Sequence, residues 1–331
     1  MREIGRMERD MIEVYSLESR RGIPAAVLEK DILLTDVLQA ISEIRPRGFS
    51  LAFCGGTALA KAYKVIDRMS EDLDFKVTVP TCSEKQLLSS LETSRVQIRA
   101  AVERIGFPGD DCRAYNNNRF FTFRLRYNSR FKSQSESLRP YIQVECINIA
   151  PVEKPQLKPM RSIVADHFDV GKAVELPCTT LRETLVEKTV ALLRRLGDDR
   201  ERNRHNPYLM RHVYDLSRII QNIGRPDDAK FQEMFVQKVR LDTCQYAGIS
   251  AAFGADARKA MKASVMDLRK DPRHARDYET SLKDLVLHGG TSSYHTALAH
   301  FLPLADALIK RLDLADAEAG VPHASGMRPR H

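Results

Sequence analysis

The chain has no tryptophan, few aromatic residues, and no apolar run long enough to span a bilayer. Its opening stretch, MREIGRMERDMIEVYSLESRRG, is charged throughout and contains no apolar h-region, so a cytoplasmic location is expected. The six cysteines (Cys54, Cys82, Cys112, Cys146, Cys178 and Cys244) are scattered, with no CxxC pair among them. That spacing signals neither a zinc site nor a small disulfide framework. Inside apolar runs a reduced cysteine behaves as a small hydrophobe. His288, His295 and His300 lack metal-ligand spacing, and no internal repeat is present.

What is present is an excess of positive charge. The formal net charge is +8 and the sequence pI is near 9.2. Basic surfaces favour polyanions, because phosphates neutralised by Lys and Arg release counterions. The same balance also suits a basic enzyme with no nucleic-acid partner. With 331 residues, 43% of them hydrophobic, the chain suits two domains or one large one with a substantial core.

Residues 7–22 mix charges with Met, Ile, Val and Leu and stop before Pro24, which predicts a helix. AAVLEKDILLTDVLQAISEI (25–44) places Val27, Ile32, Leu34, Val37, Leu38 and Ile41 at the spacing of a long amphipathic helix. FSLAFCGG (49–56) is a short apolar run closed by two glycines: a buried strand and a tight turn. A helix then begins at Thr57. LDFKVTV (73–79), ended by Pro80, predicts a second strand. Ser83, with Gln86 three positions on, forms a capping box for a helix over 83–105. Alternation predicts strands over 119–128 and 141–150, joined by a polar, mobile hairpin loop, SRFKSQSESLRP. Residues 151–178 contain several prolines and read as a connection; from Thr180 the pattern is helical.

Two features of FCGGTALAKAYKVIDRMSEDLDFKV (53–77) carry chemistry. Glycines in a strand–turn–helix junction let the main chain approach a ligand closely, and Thr57 adds a hydroxyl; together they suit a phosphate. Many α/β proteins have such a turn for steric reasons alone. Asp72 and Asp74 lie two apart at a strand start, so both carboxylates face one side and Leu73 and Phe75 the other. Such a pair repels itself unless a cation lies between, and hard oxygen ligands imply Mg²⁺ or Mn²⁺. An isolated pair is more often a solvated strand end. In YIQVECINI, Glu145 falls opposite Ile142, Val144 and Cys146, and becomes the candidate third carboxylate of a two-metal site. A phosphate turn, one helix and an acidic pair on the next strand form the arrangement of a polymerase-β-type nucleotidyltransferase.

Two helices of the second half add candidates. Thr180 and Glu183 form a capping box, and Leu181, Leu185, Leu192 and Leu196 make one stripe. Glu183, Glu187 and Arg194 fall opposite it, and Lys188 at its edge. A lysine there needs a route to water or an anion. Asn206-Pro207 opens the next helix and Gly224 closes it. His212 projects within its buried sector, where a histidine is more often a satisfied core residue than a catalyst, and Asp215 stands at the border.

The GGTALAKAYK…RMSEDLDF block resembles the AbiEii/AbiGii family, the nucleotidyltransferase-like toxins that include the MenA/MenT type. LEKDILLTDVL (28–38), LRETLVEKTVALLRR (181–195) and RHVYDL (211–216) resemble further segments of that family; His212 stands where the family carries an acid, leaving Asp215 as the matching carboxylate. The resemblance implies an α/β (α+β) fold: a polymerase-β-like domain with a small mixed sheet, then an all-helical domain. The boundaries expected are an N-terminal helix (1–24), the transferase domain (25–160), the helical domain (161–316) and a flexible tail (317–331). It implies a Mg²⁺- or Mn²⁺-dependent transfer of a nucleotide from an NTP to RNA, with the tRNA 3′ end as acceptor. The setting implied is a toxin–antitoxin or abortive-infection system with an antitoxin encoded nearby. Gly55, Gly56, Thr57 and Arg68 would hold the triphosphate, and Asp72, Asp74 and Glu145 the metal. Lys188 would contact phosphates, while Asp215 orients Lys188 or the acceptor hydroxyl, or is simply ion-paired. Lys30 would pair with Asp31 or reach the cleft. Transfer to a small molecule or protein, or a non-catalytic module on an inactive scaffold, are the rival readings.

Overall fold

Alternating side chains build the sheet that carries the acidic strand. In the computed structural model the described residues are 1–19, 22–80, 83–109, 111–131, 138–283, 285–287 and 292–318, excepting the side chains of 313–318. Two compact units divide the chain: Met1–Thr184 with Leu282–Thr291, and Leu185–Ser281 with Ser292–His331.

The first unit holds α1 (Arg6–Glu18), α2 (Ala25–Ser42), β1 (Ser50–Cys54), α3 (Gly55–Lys61), β2 (Asp72–Thr78), α4 (Glu84–Arg104), β3 (Cys112–Tyr115), β4 (Phe120–Arg126) and β5 (Tyr141–Ile147). It continues with β6 (Gln156–Met160), α5 (Ile163–Phe168) and β7 (Val174–Cys178). The seven strands order as β3-β4-β5-β2-β1-β7-β6. β2 pairs antiparallel with β1 and parallel with β5, and β1 runs parallel to β7, so the sheet is mixed. One face carries Leu73, Phe75, Val77, Ile142, Val144, Cys146, Phe121 and Phe123, buried against α2 and α4. Each such side chain contributes roughly 1.5–3 kcal/mol of burial. The expected strands, helices and the capping box of Ser83 with Gln86 are all present.

Three expectations are corrected. The proline-bearing stretch 151–178 is not a mere connection; it forms β6, α5 and β7 and extends the sheet. Its prolines concealed it: Pro159 lies in β6, a sheet-edge strand, where a missing N–H is tolerated. The sheet unit therefore runs to Thr184 rather than ending at residue 160. Residues 132–137 of the expected loop and 319–331 of the expected tail lie outside the described residues.

The second correction concerns α2, which has no polar face around its start. Glu29, Lys30 and Asp31 are all buried. Each reaches a different element. Glu29 accepts from the Ser129 hydroxyl at 2.5 Å and the Arg130 amide at 2.7 Å. Lys30 pairs with Glu71 and donates to the Arg139 carbonyl at 2.7 Å, not to Asp31. Asp31 pairs with Lys61 of α3 at 2.6 Å and accepts the Ile163 amide that opens α5 at 2.6 Å.

The second unit is helical: α6 (Leu181–Glu201) enters it, followed by a 3-10 turn (Pro207–Leu209), α7 (Met210–Ile223) and α8 (Ala229–Tyr246). α9 (Ala251–Ala255), α10 (Ala257–Lys270), α11 (Arg273–Lys283) and α12 (Tyr294–Glu318) complete it. α12 packs on α7, α8 and α10. Asn206 accepts from the Tyr208 amide, and Gly224 caps α7 with positive φ, as their spacing predicts. The third correction lies on α6: Glu183 and Arg194, expected on its exposed side, are buried. Glu183 pairs with Lys76 at 2.5 Å, and Arg194 approaches both Asp198 and Asp242. A helical wheel assigns charges to water; here each charge has a buried partner instead.

Removing one partner of a buried ion pair strands the other charge. Asp31→Ala should therefore destabilise the first unit by roughly 3–5 kcal/mol, measured by urea unfolding. A loss below about 1 kcal/mol would show that Lys61 reaches water without it.

Candidate active site

The site begins with strand register. β2 places Asp72, Asp74 and Lys76 on the face opposite the apolar layer, and in the parallel pairing Asp72 lies beside Gln143 and Asp74 beside Glu145. Residues paired across neighbouring strands project to the same face. Asp72, Asp74 and Glu145 thus share one face of adjacent strands.

Antiparallel pairing of β1 with β2 sets Cys54 opposite Asp74, so the chain leaves β1 beside that carboxylate. Gly55 has φ +77°, and a Cβ built there would lie 1.9 Å from Asp74 Oδ2. Only glycine satisfies both the backbone conformation and the approach. At Gly56 a Cβ would meet Ser70 Oγ at 2.7 Å and Arg68 Nη2 at 3.4 Å. The two glycines therefore bring the turn against Asp74 on one side and the Arg68–Ser70 loop on the other.

Thr57 is buried, and its hydroxyl donates to the main-chain carbonyl of Asp72 at 2.5 Å, tying α3 to the start of β2. Arg68 is also buried and donates from Nη1 to the Met69 carbonyl at 3.0 Å. Its loop is held by a distant segment: Met69 N–H donates to Leu285 O, and Leu287 N–H to Asp67 O, each at 2.7 Å. A cavity of about 350 Å³ opens beside α3, with Thr57, Lys61, Lys64, Arg68, Ser70 and Arg161 among its walls. That is within the size range of small-ligand sites.

Asp72 is engaged. Arg139 Nη2 donates to its Oδ1 at 2.5 Å, while the Arg139 amide donates to Glu71 Oε1 at 2.9 Å. Burial pushes the Asp72 carboxyl above its ordinary range, an effect that Arg139 opposes. Burial likewise pulls the Lys30 ammonium down, opposed by Glu71. Lys30, Glu71, Arg139 and Asp72 form one alternating chain of charge, of which the sequence singled out only Lys30 and Asp72. The available signal was slight: Arg139 precedes Pro140 at the mouth of β5, a position biased toward extended backbone. Glu145 accepts a hydrogen bond from Gln143 Nε2.

Oxygen donors at adjacent register positions fit a hard divalent cation by type. Among the described residues, however, no group of three or more acid, His or Cys side chains is gathered to hold a metal ion. In the second unit, Lys188 donates to Asp215 Oδ2 at 2.8 Å; Lys188 is 11% exposed and Asp215 fully buried. Asp215 lies inside the helix's buried side rather than at its border, and His212 is half-buried.

Gly55→Ala and Gly171→Ala form a controlled pair, because both positions have positive φ but only Gly55 has a close neighbour. Each should lose about 1–2 kcal/mol from the left-handed backbone. Gly55→Ala should lose more, measured by denaturant unfolding, since Asp74 must also move. Equal losses would mean that the turn relaxes away from Asp74 at no cost.

Comparison with known proteins completes the picture. A family model described as nucleotidyl transferase AbiEii toxin, type IV toxin–antitoxin system, matches residues 37–300. No curated protein shows a significant match. Among solved structures, the MenT4 nucleotidyltransferase toxin of Mycobacterium tuberculosis H37Rv is similar at 20% identity and a TM-score of 0.40, covering 85% of this chain and 99% of that one. The family match takes in β2, β5, α6 and α7, and with them every candidate site residue; the chain belongs to the AbiEii family of nucleotidyltransferase toxins of type IV toxin–antitoxin systems.

Proposed function

We propose that this nucleotidyltransferase moves a nucleotide from an NTP to an RNA acceptor, the tRNA 3′ end, with Mg²⁺ or Mn²⁺. The observation that carries the reading is the β2–β5 register, which sets Asp74 beside Glu145 and Asp72 beside Gln143, next to a glycine turn that touches Asp74. The net charge of +8 agrees with an RNA partner.

In this reading the acceptor hydroxyl attacks the α-phosphorus, and pyrophosphate leaves in line. Asp72, Asp74 and Glu145 would hold the divalent cation, which when bound would supply positive charge to the phosphates. Gly55 and Gly56 let the turn's main chain approach the triphosphate. Thr57 acts through its main chain, because its hydroxyl is engaged by the Asp72 carbonyl. Arg68 supplies positive charge from the adjoining loop. Glu145, to which Gln143 donates, would receive the acceptor's proton. Lys188, held in orientation by Asp215, contributes charge to the leaving pyrophosphate. The partner implied by the family is an antitoxin. No helix among the described residues is long and apolar enough to cross a membrane, which agrees with a cytoplasmic site of action.

The test incubates the protein with total RNA, Mg²⁺ and each labelled NTP in turn. Label should appear on RNA of tRNA size and be lost when the RNA 3′ hydroxyl is oxidised beforehand. Asp74→Asn and Glu145→Gln should each reduce transfer by about 10²-fold or more. Lys188→Ala should reduce it by roughly 10–10²-fold. No transfer to RNA from any of the four nucleotides would overturn the RNA reading.

A further inference from the structure

Arg139 is joined to the candidate site by two kinds of bond. Its main chain is fixed by buried charges: the carbonyl accepts from Lys30 at 2.7 Å, and the amide donates to Glu71 at 2.9 Å. Its side chain, a third exposed, reaches Asp72 Oδ1 through Nη2 at 2.5 Å and approaches Glu71 Oε2 through Nε at 3.5 Å. The Tyr141 ring lies under the guanidinium, 5.6 Å from centroid to Cζ. The main chain therefore stays in place whatever the guanidinium does.

We propose that Arg139 is a positioning residue that holds Asp72 in place of a divalent cation and yields it when the cation binds. The inference rests on the reading of Asp72 as a metal ligand. Without the guanidinium, Asp72 would stand next in sequence to Glu71, whose own counter-charge is Lys30, and two positions from Asp74. A like charge so close would drive Asp72 out of line. The guanidinium supplies the missing charge with a planar, charge-assisted hydrogen bond that keeps the carboxylate oriented. A divalent cation on the same carboxylate repels the guanidinium, and the guanidinium has a second anchor in Glu71 and a flat partner in Tyr141 to fall back on.

The distinguishing measurement is the affinity of the full-length protein for Mn²⁺, read by electron paramagnetic resonance without NTP or RNA. R139Q keeps the main-chain bonds and removes the competing charge. It should bind Mn²⁺ roughly two- to fivefold more tightly than the wild type. Mn²⁺ should also raise its melting temperature by more than it raises that of the wild type. R139K keeps a charge without the planar donor and should show a smaller gain in the same direction. D72N should bind more weakly than the wild type. If R139Q binds Mn²⁺ no more tightly while the wild type binds and D72N weakens binding, Arg139 serves structure alone and the proposal fails, leaving the metal reading intact. If the wild type binds no Mn²⁺, or D72N leaves binding unchanged, Asp72 is not a metal ligand, and both the proposal and the reading beneath it fall.

Discussion

Three consecutive charges on α2 that do not reach water hold the first unit in register. Glu29 fixes the chain beyond β4, Lys30 fixes the entries to β2 and β5, and Asp31 fixes α3 and α5. Buried ion pairs are seldom large net contributors to stability, since desolvation offsets most of their attraction. Their effect is selective: any arrangement that separates one of these partners leaves a bare charge in an apolar core. The apolar contacts between α2 and the sheet supply stability, and the three charges narrow the ways in which those contacts can be made.

The candidate site inherits this constraint. Lys30 binds Glu71, Glu71 binds the Arg139 amide, and Arg139 binds Asp72. On the same strand face, Lys76 is tied to Glu183, whose carboxylate also accepts the Val152 and Glu153 amides at 3.0 and 3.1 Å. The acidic pair of β2 is thus bracketed by two buried ion pairs. An acidic strand end in solvent would be free to bend away from its own charge; this one is held at both ends.

What could be read from the amino-acid order was local. The glycine turn, the alternation of Asp72 and Asp74, and the placement of Glu145 opposite Val144 follow from periods of two and from the unique freedom of glycine, which need no partner. The long-range matches escaped for one physical reason: pattern reading assigns charge to the surface. Lys30, Glu71, Lys76, Glu183 and Arg194 are buried because each meets an opposite charge, in most cases tens of residues or more away. β6 escaped because proline marks a break in a central strand yet is tolerated at a sheet edge; β7 escaped because Pro177 also interrupts its pattern, although it lies between β1 and β6. Lys188 and Asp215 were both candidates, with Asp215 orienting Lys188 among the roles left open; the structure pairs the two directly.

The loop bearing Arg68 depends on a stretch of chain made very late. Its hydrogen bonds to Leu285 and Leu287 are formed by residues that follow it by more than two hundred positions. At translation rates of about 5–20 residues per second, the ribosome needs on the order of ten to forty seconds to produce that brace after Arg68 itself. A nascent chain can lay down β1, α3 and β2 long before it can close this loop. A fragment ending before residue 285 lacks the brace altogether.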